Sequence, residues 1–560
     1  MTVNGTQAAE KSAGRVVVIG GGFAGAFAAR ALQRKLPSTY TVELVSERNY
    51  FVFQPLLPEV VGGTINAVDA VTPLRSMLSG VKVRMGTVRD IDFTAKEITI
   101  VQGSKRVPQK RSYAALVLAP GQATKTDLFP GLAEHSYSVR SLTDARDLRN
   151  HVLHCLEHAD ITNNAELKKR LLTFVVAGGG FSGVEIVGEL QEMVTRTCKQ
   201  YPNIELEDVQ FQILQRSDRL LPELGPTLGV HAAERLSKRG VSVRLGESLV
   251  RATATDVYTK SGERIGTHTL VITIGSQPCQ LFEQLELPLS RGRLEVSGTM
   301  EVPNLDAVWA LGDAAAVPLP GEGGIAPTTA QFAVQEAEKL ADNVAAYLAG
   351  QEQTVFDYEP RGSLASIGHY DAVAEIYGRP ISGLLAWLLW RGVYLGMVPG
   401  FATKARIALN WAFDYILPRS IVQMAVPHQR GVSMVHLSEG DILFEPGQII
   451  DGLYAVVEGT LESRIQYEGD REDFVRIVGA GEHWGEKSLS SGSETIGQLT
   501  ALEDCRILVL RRSEFQRLDQ SLPFFHEHFE SMPGQLYPRE MRGTPVSKNS
   551  ESQDENSDPS

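Results

Sequence analysis

Residues 15–25 read Arg-Val-Val-Val-Ile-Gly-Gly-Gly-Phe-Ala-Gly, and their pattern indicates the architecture of the first domain. The apolar residues before the glycines predict a short buried strand, and the alanine-rich stretch 23–36 predicts a helix. A second strand is predicted over residues 41–46. Strand, glycine turn, helix and strand in this order form one βαβ unit, which indicates an α/β fold with a parallel sheet.

The glycines of this unit fit the G-x-G-x-x-G fingerprint of turns that bind dinucleotides. Gly20 permits the tight turn, Gly22 lets a pyrophosphate approach the backbone, and Gly25 lets helix and strand pack closely. The pyrophosphate would lie at the positive end of the helix, beside Phe23 and Ala24. Glu47, at the end of the second strand, is placed to bind the ribose hydroxyls of an adenosine. These residues predict a dinucleotide site.

The same pattern returns about 160 positions later, as Gly178, Gly180 and Gly183. A strand is predicted over 172–177, a helix over 184–199 and a closing strand over 209–214. A lone glycine fingerprint is weak evidence, because such a turn also occurs where no nucleotide binds. Two copies in the same context predict two dinucleotide sites.

The second unit lacks the acidic residue. Its last strand ends at Leu214-Gln215-Arg216, where a carboxylate would favour NADH. Gln215 removes the charge that repels a 2'-phosphate, and Arg216 could attract one. NADPH is therefore one hypothesis for the donor. The alternative is that Arg216 points to solvent and that NADH and NADPH both serve.

The overall composition excludes several classes of protein. The net charge of -13 over 560 residues argues against a nucleic-acid partner. The four cysteines form no C-x-x-C pair, which argues against a disulfide reductase or a zinc ribbon and indicates a reducing compartment. No run of apolar residues is long enough to predict a transmembrane helix, and the polar N-terminal residues do not resemble a signal peptide.

Further motifs resemble the flavoproteins that carry two dinucleotide-binding domains. Residues 308–313, Val-Trp-Ala-Leu-Gly-Asp, match the strand that ends in Gly-Asp in that superfamily, and 119–121 resembles its crossover between domains. The resemblance implies that Asp313 contacts the ribityl-phosphate region of a flavin and that Gly121 lies at the cofactor.

Within that superfamily the chain resembles the type II NADH:quinone oxidoreductases from about residue 15 to 417. The motifs that carry the resemblance are Asn-Tyr-Phe-Val-Phe-Gln-Pro-Leu-Leu (49–57), Pro-Leu-Arg (73–75), Ala-Gln-Phe-Ala-Val-Gln-Glu (330–336) and Gly-Ser-Leu-Ala-Ser-Ile-Gly (362–368). The resemblance implies FAD in the first site and NADH or NADPH in the second. Hydride would pass to the flavin, and two electrons would then pass to a membrane quinone without proton pumping.

The resemblance also implies roles for single residues. Gln331 and Gln335 would line the quinone pocket beside the flavin, with Gln331 and Gln54 contacting the cofactor, and Glu185 would lie near the nicotinamide. The alternatives are a solvated helix face for the two glutamines and, for Glu185, an acid stabilised by the helix dipole.

Residues 382–398 and 401–417 are rich in tryptophan and leucine but are interrupted by charges such as Arg391 and Lys404. They are too short and too charged to span a bilayer, yet they suit its interface. The alternative is a helical pair buried against the rest of the protein. The resemblance favours contact with the membrane, which predicts a peripheral protein on the cytoplasmic side.

Residues 438–515 resemble a cyclic nucleotide-binding domain, through the motifs 439–443, 451–459 and 483–489. The family's phosphate-binding arginine falls near Thr495, and no Arg or Lys lies between Lys487 and Arg506. A cyclic phosphate would therefore lack its bidentate partner, which predicts a module that keeps the fold but binds cyclic nucleotides weakly or not at all. The alternatives for this module are self-association and contact with the flavoprotein, and a homodimer is an open hypothesis for the chain.

The predicted architecture is α/β, with two Rossmann-like domains, a helical membrane-surface segment and a C-terminal β-roll of jelly-roll type. The predicted ranges are a disordered tail (1–14), an FAD domain (15–125 and 300–345), an NAD(P) domain (126–299), a segment for the membrane interface and the quinone entrance (346–420), the cyclic nucleotide-binding-like domain (421–530) and a disordered tail (531–560). Two other functions stay open, a regulatory flavoprotein and a soluble NAD(P)H oxidase.

Overall fold

The computed structural model describes residues 14–103, 107–321, 324–360, 362–368, 370–423, 432–448, 450, 452–465, 473–485, 495, 497–512 and 514–515. The chain divides into two units, Met1–Pro427 and His428–Ser560. Apart from Gly14, which begins the first strand, the two predicted tails lie outside the described residues.

Helices and strands alternate through the first unit. In the described part of the chain the helices α1 to α12 are Phe23–Lys35, Leu57–Gly62, Leu74–Met77, Leu132–His135, Leu142–Ile161, Ala165–Leu171, Phe181–Thr197, Pro226–Lys238, Gln280–Gln284, Ala330–Leu348, Leu384–Met397 and Phe401–Ile416. The strands β1 to β25 are Gly14–Ile19, Tyr40–Ser46, Tyr50–Val52, Val71–Pro73, Lys82–Met85, Thr87–Asp92, Glu97–Gln102, Val107–Ser112, Ala115–Leu118, Ala123–Thr124, Thr173–Ala177, Gln210–Gln215, Val241–Leu245, Leu249–Ala252, Asp256–Thr259, Arg264–Gly266, Thr269–Ile272, Ser276–Gln277, Leu289–Ser290, Arg293–Glu295, Val308–Ala310, Ala315–Ala316, Gly362–Gly368, Asp371–Ile376 and Arg379–Ser382.

Two parallel sheets form the centre of the first unit. One has the order β21-β9-β1-β2-β5, and the other has the order β13-β12-β11-β17. Their middle strands are almost wholly apolar and buried, as expected where helices cover both faces of a parallel sheet. Each glycine turn follows such a middle strand, β1 or β11, so the two predicted Rossmann-like domains are confirmed.

The chain crosses between the two sheets twice. Its outward strand β10 pairs antiparallel with its return strand β18. Strand β20 then pairs with β22, not with the second parallel sheet. Strand β22 belongs to the part of the chain that forms the flavin domain. The return crossing therefore lies near residue 277, earlier than the predicted boundary at 299.

The last part of the first unit is an antiparallel sheet followed by two helices. Strands β23, β24 and β25 pair in sequence, and helices α11 and α12 follow. Ser420 and Gln423 still bond to the helix α5, because Arg149 donates to the Ser420 carbonyl and Gln423 donates to the Asn150 carbonyl. Residues 421–423 therefore belong with the first unit, rather than with the module predicted to begin at 421.

The described residues of the second unit form strands and turns up to Arg511, and Arg512, Glu514 and Phe515 are helical. Its strands β26 to β33 are Val432–Leu437, Ile442–Phe444, Gly452–Glu458, Leu461–Ile465, Phe474–Val478, His483–Trp484, Gln498–Ala501 and Cys505–Arg511. They form two four-stranded antiparallel sheets, β26-β33-β28-β31 and β27-β32-β29-β30, around one apolar core. This is the two-sheet arrangement predicted for a β-roll.

Candidate flavin and nicotinamide sites

The first glycine turn has the backbone geometry that a dinucleotide site requires. Gly20 adopts a φ of +110°, and a Cβ atom there would lie 2.0 Å from the carbonyl oxygen of Ala119. A Cβ on Gly25 would lie 1.9 Å from the Gly20 carbonyl oxygen, so helix α1 packs on its strand only because residue 25 has no side chain. A Cβ on Gly22 would meet nothing within 4 Å, which leaves the backbone open to a ligand.

The helices behind both glycine turns begin without a side-chain cap. Gly22 precedes α1 and Gly180 precedes α7, and neither helix has an acidic residue in its first turn. Two other long helices, α5 and α10, are capped by the hydroxyls of Ser141 and Thr329. The first N–H groups of α1 and α7 are thus available to an anion, which is the environment that a pyrophosphate needs.

A cleft of about 920 Å³ opens at the first glycine turn. The predicted site residues that line it are Gly20, Gly22, Phe23, Ala24, Glu47, Gln54, Gly121 and Asp313. Sequence reasoning missed other residues of the lining, among them Ser46, Arg140, Asp144, Cys279 and Thr329. The uncapped helix, the open Gly22 and this cleft together fit an FAD, whose binding residues would be those of the lining.

Asp313 lies in a charged corner of this cleft. Burial raises its pKa, while the cations Arg140 and Arg293 act in the opposite direction. Behind it, the buried Glu336 accepts a hydrogen bond from the Gly312 N–H at 2.6 Å. Burial raises the pKa of Glu336 to about 7. Glu336 thus holds the Gly312–Asp313 turn in place from behind the cleft. The motif 330–336, to which Glu336 belongs, did not predict this role.

The second glycine turn repeats the first. Gly178 has a φ of +112°, and a Cβ on Gly183 would lie 1.8 Å from the Gly178 carbonyl oxygen. Gly20 N–H donates to Val45, and Gly178 N–H donates to Leu214. This register makes the pair Gln215–Arg216 equivalent to the pair Ser46–Glu47 of the flavin domain.

The two residues predicted to select the donor differ in their surroundings. The side-chain oxygen of Gln215 accepts a hydrogen bond from Gly179 N–H at 2.9 Å, and its amide donates to Ser217. Gln215 therefore braces the glycine turn. Arg216 is exposed and forms no hydrogen bond or ion pair with the residues that the structure describes, so its guanidinium is available to a ligand.

The two glutamines of helix α10 lie at its first turns. Gln331 donates to the Tyr358 hydroxyl at 2.6 Å, and Gln335 is exposed. Their neighbours Ala330 and Ala333 line the flavin cleft. The start of α10 thus reaches the flavin site, while a contact of the two glutamine side chains with quinone stays a prediction.

Glu185 lies on α7 and joins it to the last part of the first unit. Its carboxylate accepts hydrogen bonds from the Ser366 N–H at 3.1 Å and from the Trp390 indole N–H at 3.2 Å. Burial raises its pKa to about 8. The carboxylate therefore binds the strand β23 and the helix α11, and it does not cap α7.

Glu185→Gln is expected to flatten the dependence of stability on pH. Because burial raises the folded-state pKa, the folded protein holds the proton more tightly than the unfolded chain, and this contribution is lost as pH rises from about 5 towards 8. Glu185 would account for up to about 1.4 kcal/mol per pH unit in that window. Chemical unfolding at pH 6, 7 and 8 would check this, with the half-exposed Glu338→Gln as control. Equal slopes for Glu185→Gln and the unchanged protein would contradict the expectation.

A buried ion cluster lies further along α7, and we define it as Glu59, Glu189, Glu192, Asp414 and Arg419. Arg419 is 2% exposed, and its guanidinium lies 3.4 Å from Glu189, 3.5 Å from Glu192 and 2.9 Å from Asp414. Burial, together with the neighbouring acids, raises the pKa of Glu59 to about 8 and of Glu189 to about 7. The cluster connects α2, α7 and α12 with the chain that follows α12.

Arg391 links this cluster to the tryptophans of α11 and α12. Its guanidinium carbon lies 4.0 Å from the ring centre of Trp387 and 4.6 Å from that of Trp411, and the side chain approaches Glu59 at 3.8 Å. The Trp411 indole donates to Glu59 at 2.8 Å. The guanidinium of Arg391 therefore lies between the rings of Trp387 and Trp411. Through Glu59 it attaches the inner faces of both helices to the flavin domain.

In the second unit, Thr495 occupies the place expected for a phosphate-binding arginine. It is buried, its hydroxyl donates to the Glu445 carbonyl at 2.6 Å, and its backbone bonds to Gly447 and Gln448. Thr495 thus closes the turn at 445–448. Residues 486–494, which complete the predicted phosphate cassette, lie outside the described residues.

The four cysteines are free. Cys155 and Cys198 are buried in helical segments, and burial raises the thiol pKa of both. Because burial favours the protonated thiol, neither cysteine has the environment of a reactive thiolate.

Three family models match the chain in order. The pyridine nucleotide-disulphide oxidoreductase model matches residues 14–337, the NDH2 C-terminal domain model matches 361–420, and the cyclic nucleotide-binding domain model matches 434–521. The first covers more than half of the chain. The match to the cyclic nucleotide-binding domain model confirms the predicted resemblance of the C-terminal module.

Curated relatives and solved structures agree with these matches. A type II NADH:quinone oxidoreductase of Mycobacterium tuberculosis is 31% identical over 441 residues, which are 76% of this chain and 93% of that protein. One from Staphylococcus aureus is 28% identical over 375 residues, covering 66% and 91%. NDH2 from Plasmodium falciparum, solved in complex with NADH, matches with a TM-score of 0.67 and 20% identity over 73% of this chain and 99% of that one, which supports the fold. The chain therefore belongs to the type II NADH:quinone oxidoreductase family of flavoproteins, with a cyclic nucleotide-binding domain at its C-terminal end.

Proposed function

We propose that this chain oxidises NADH or NADPH through FAD and reduces a membrane quinone. The observation that carries the proposal is the pair of uncapped helices α1 and α7, each behind a glycine turn at the end of a buried parallel strand. Two such turns supply sites for two dinucleotides, and family membership supplies the acceptor.

FAD, when bound, would supply the chemistry of accepting a hydride and releasing two electrons. The residues of the chain bind and orient the reactants. Gly20, Gly22 and Gly25 let the pyrophosphate approach the start of α1, and Asp313 faces the cleft that would receive the flavin. Glu185 is a positioning residue, because it ties the nicotinamide-domain helix α7 to α11.

The quinone would reach the flavin from a membrane surface that contacts α11 and α12. Their buried residues face the protein, whereas Leu384, Leu388, Phe401, Phe413 and Ile416 are 55–86% exposed. Large exposed apolar side chains beside cations suit the interface of a bilayer. In the described part of the chain, no helix has the length and apolar character needed to cross a membrane. From the exposed apolar residues of α11 and α12 we propose a peripheral membrane protein, and from the family resemblance we propose the cytoplasmic side.

Stopped-flow absorbance of the purified yellow protein would test the proposed function. NADH or NADPH should bleach the flavin band rapidly, and a short-chain quinone should restore it rapidly. Bleaching followed only by slow recovery in air would remove the quinone reductase proposal and favour an oxidase.

We further propose that Arg216 lets the enzyme accept NADPH. Replacing it by glutamine should lower kcat/KM for NADPH by about 10- to 100-fold, since a hydrogen bond between charged groups is lost, and should leave NADH oxidation nearly unchanged. Steady-state rates with both donors would check this. Arg146→Gln is the matched control, because Arg146 is an exposed arginine that pairs with its neighbour Asp147. A parallel loss with both donors would contradict the role.

A further inference from the structure

A second cavity, of about 510 Å³, lies between α1, α10 and the turn that joins α11 to α12. Its lining includes Phe27 and Arg30 of α1, Val334 of α10, and residues 396–401 with Lys404. It is distinct from the flavin cleft, with which it shares Phe23. The proposed function assigns no ligand to this cavity.

The charged side chains that line this cavity are cations. Arg30 and Lys404 are its charged lining residues, and no acidic side chain among the described residues lines it. Lys404 donates to the neutral carbonyl of Gly396 at 2.9 Å, and Arg30 forms no ion pair with any residue in the described part of the chain. Two cations in one concave site attract an anion.

The rest of the lining is suited to an amphiphile. Phe27, Val334 and Val398 give the cavity apolar walls, and Phe401 at its edge is 86% exposed. The cavity therefore presents cations and apolar surface together, beside the two helices proposed to contact the membrane. A neutral quinone would leave both cations without a charged partner, whereas a lipid phosphate would match them.

We propose that this cavity binds the phosphate headgroup of an anionic membrane phospholipid. Arg30 and Lys404 bind the phosphate, and the acyl chains leave past Phe401 towards the bilayer. The inference rests on the peripheral membrane contact of the proposed function and adds to it a defined lipid site. It differs from general attraction to a charged surface, because it requires residues that line the cavity.

The first test uses the full-length, FAD-loaded protein and a short-chain phosphatidylglycerol below its micelle concentration, measured by calorimetry. The unchanged protein should bind it, and Arg30→Gln and Lys404→Gln should each weaken binding about tenfold or more. Arg406→Gln is the matched control, because Arg406 lies on the same helix, is 62% exposed and does not line the cavity. Equal weakening by Arg406→Gln, or no binding to the unchanged protein, would overturn the proposal.

Two further measurements distinguish the lipid from its alternatives, free phosphate and quinone. Inorganic phosphate should bind at least tenfold more weakly than the lipid, and equal binding would reduce the cavity to a free-anion site and overturn the proposal. If Arg30→Gln and Lys404→Gln raise KM for a short-chain quinone while lipid binding is unchanged, the occupant is the quinone and the proposal fails.

Sedimentation with vesicles extends the test to a bilayer. Vesicles of phosphatidylcholine with phosphatidylglycerol should bind the protein more tightly than phosphatidylcholine alone, and both cavity variants should lose more of that preference than Arg406→Gln. Quinone reductase activity without vesicles is measured separately. Loss of that activity alone would count against the proposed function and leave the lipid site standing.

Discussion

Gly25→Ala is expected to yield a protein without flavin. The new Cβ would lie 1.9 Å from the backbone carbonyl of Gly20, and neither partner is a flexible side chain that can move aside. Helix α1 would have to shift from β1, at a cost of about 1–3 kcal/mol, and the pyrophosphate-binding N–H groups would move with it. The flavin absorbance per protein and the thermal midpoint should both fall.

Two matched variants make this expectation specific. Gly22→Ala meets no atom within 4 Å, so it should keep the thermal stability of the flavin-free protein while weakening FAD binding. Gly392→Ala, on α11, also meets no atom within 4 Å, so it should leave the flavin content unchanged and should not lower the thermal midpoint. Normal flavin content in Gly25→Ala would refute the site. Equal unfolding of the flavin-free forms of Gly22→Ala and Gly25→Ala would refute the steric argument.

Arg419→Met is expected to destabilise the first unit by about 3–5 kcal/mol, because it removes the cation that Glu189, Glu192 and Asp414 share in a buried site. The loss should be larger at pH 8 than at pH 6. At the lower pH Glu59 and Glu189, whose pKa values are raised, take up protons and no longer repel the neighbouring acids.

Denaturant unfolding at the two pH values would measure both effects. Arg406→Met is the control, since Arg406 is 62% exposed and lies 4.0 Å from Asp69, and it should cost no more than about 0.5 kcal/mol. A deficit that grew on acidification would show that repulsion between the acids is not the cause.

The sequence predicted the elements that depend on local pattern. Strands expected at 15–19 and 41–46 run from Gly14 to Ile19 and from Tyr40 to Ser46, since apolar runs between turn residues define them. The helix expected at 184–199 begins earlier, at Phe181, because the helix starts directly after its glycine turn, as α1 does. Local spacing therefore sufficed for both dinucleotide units.

The contacts that depend on distant segments could not be predicted. The side chain of Gln215 accepts a hydrogen bond from Gly179 across the turn. Its position in the sequence does not predict this bond. The buried ion cluster draws its members from α2, α7, α12 and the chain after it. A signal existed, because Glu59 and Glu189 are acids inside apolar runs, and such residues are seldom left without a partner.

The pairing of the two crossing strands has a consequence for how such enzymes can be altered. Ala123 lies opposite Gln277 and Thr124 opposite Ser276, so the chain leaves the flavin domain and returns to it at the same place. The intervening segment is thus a cassette whose two ends are neighbours in an antiparallel pair, about 5 Å apart. Recombination could replace it with a homologous segment whose ends are equally close. Donor preference could then be exchanged as one genetic unit, while the flavin domain keeps its own sequence.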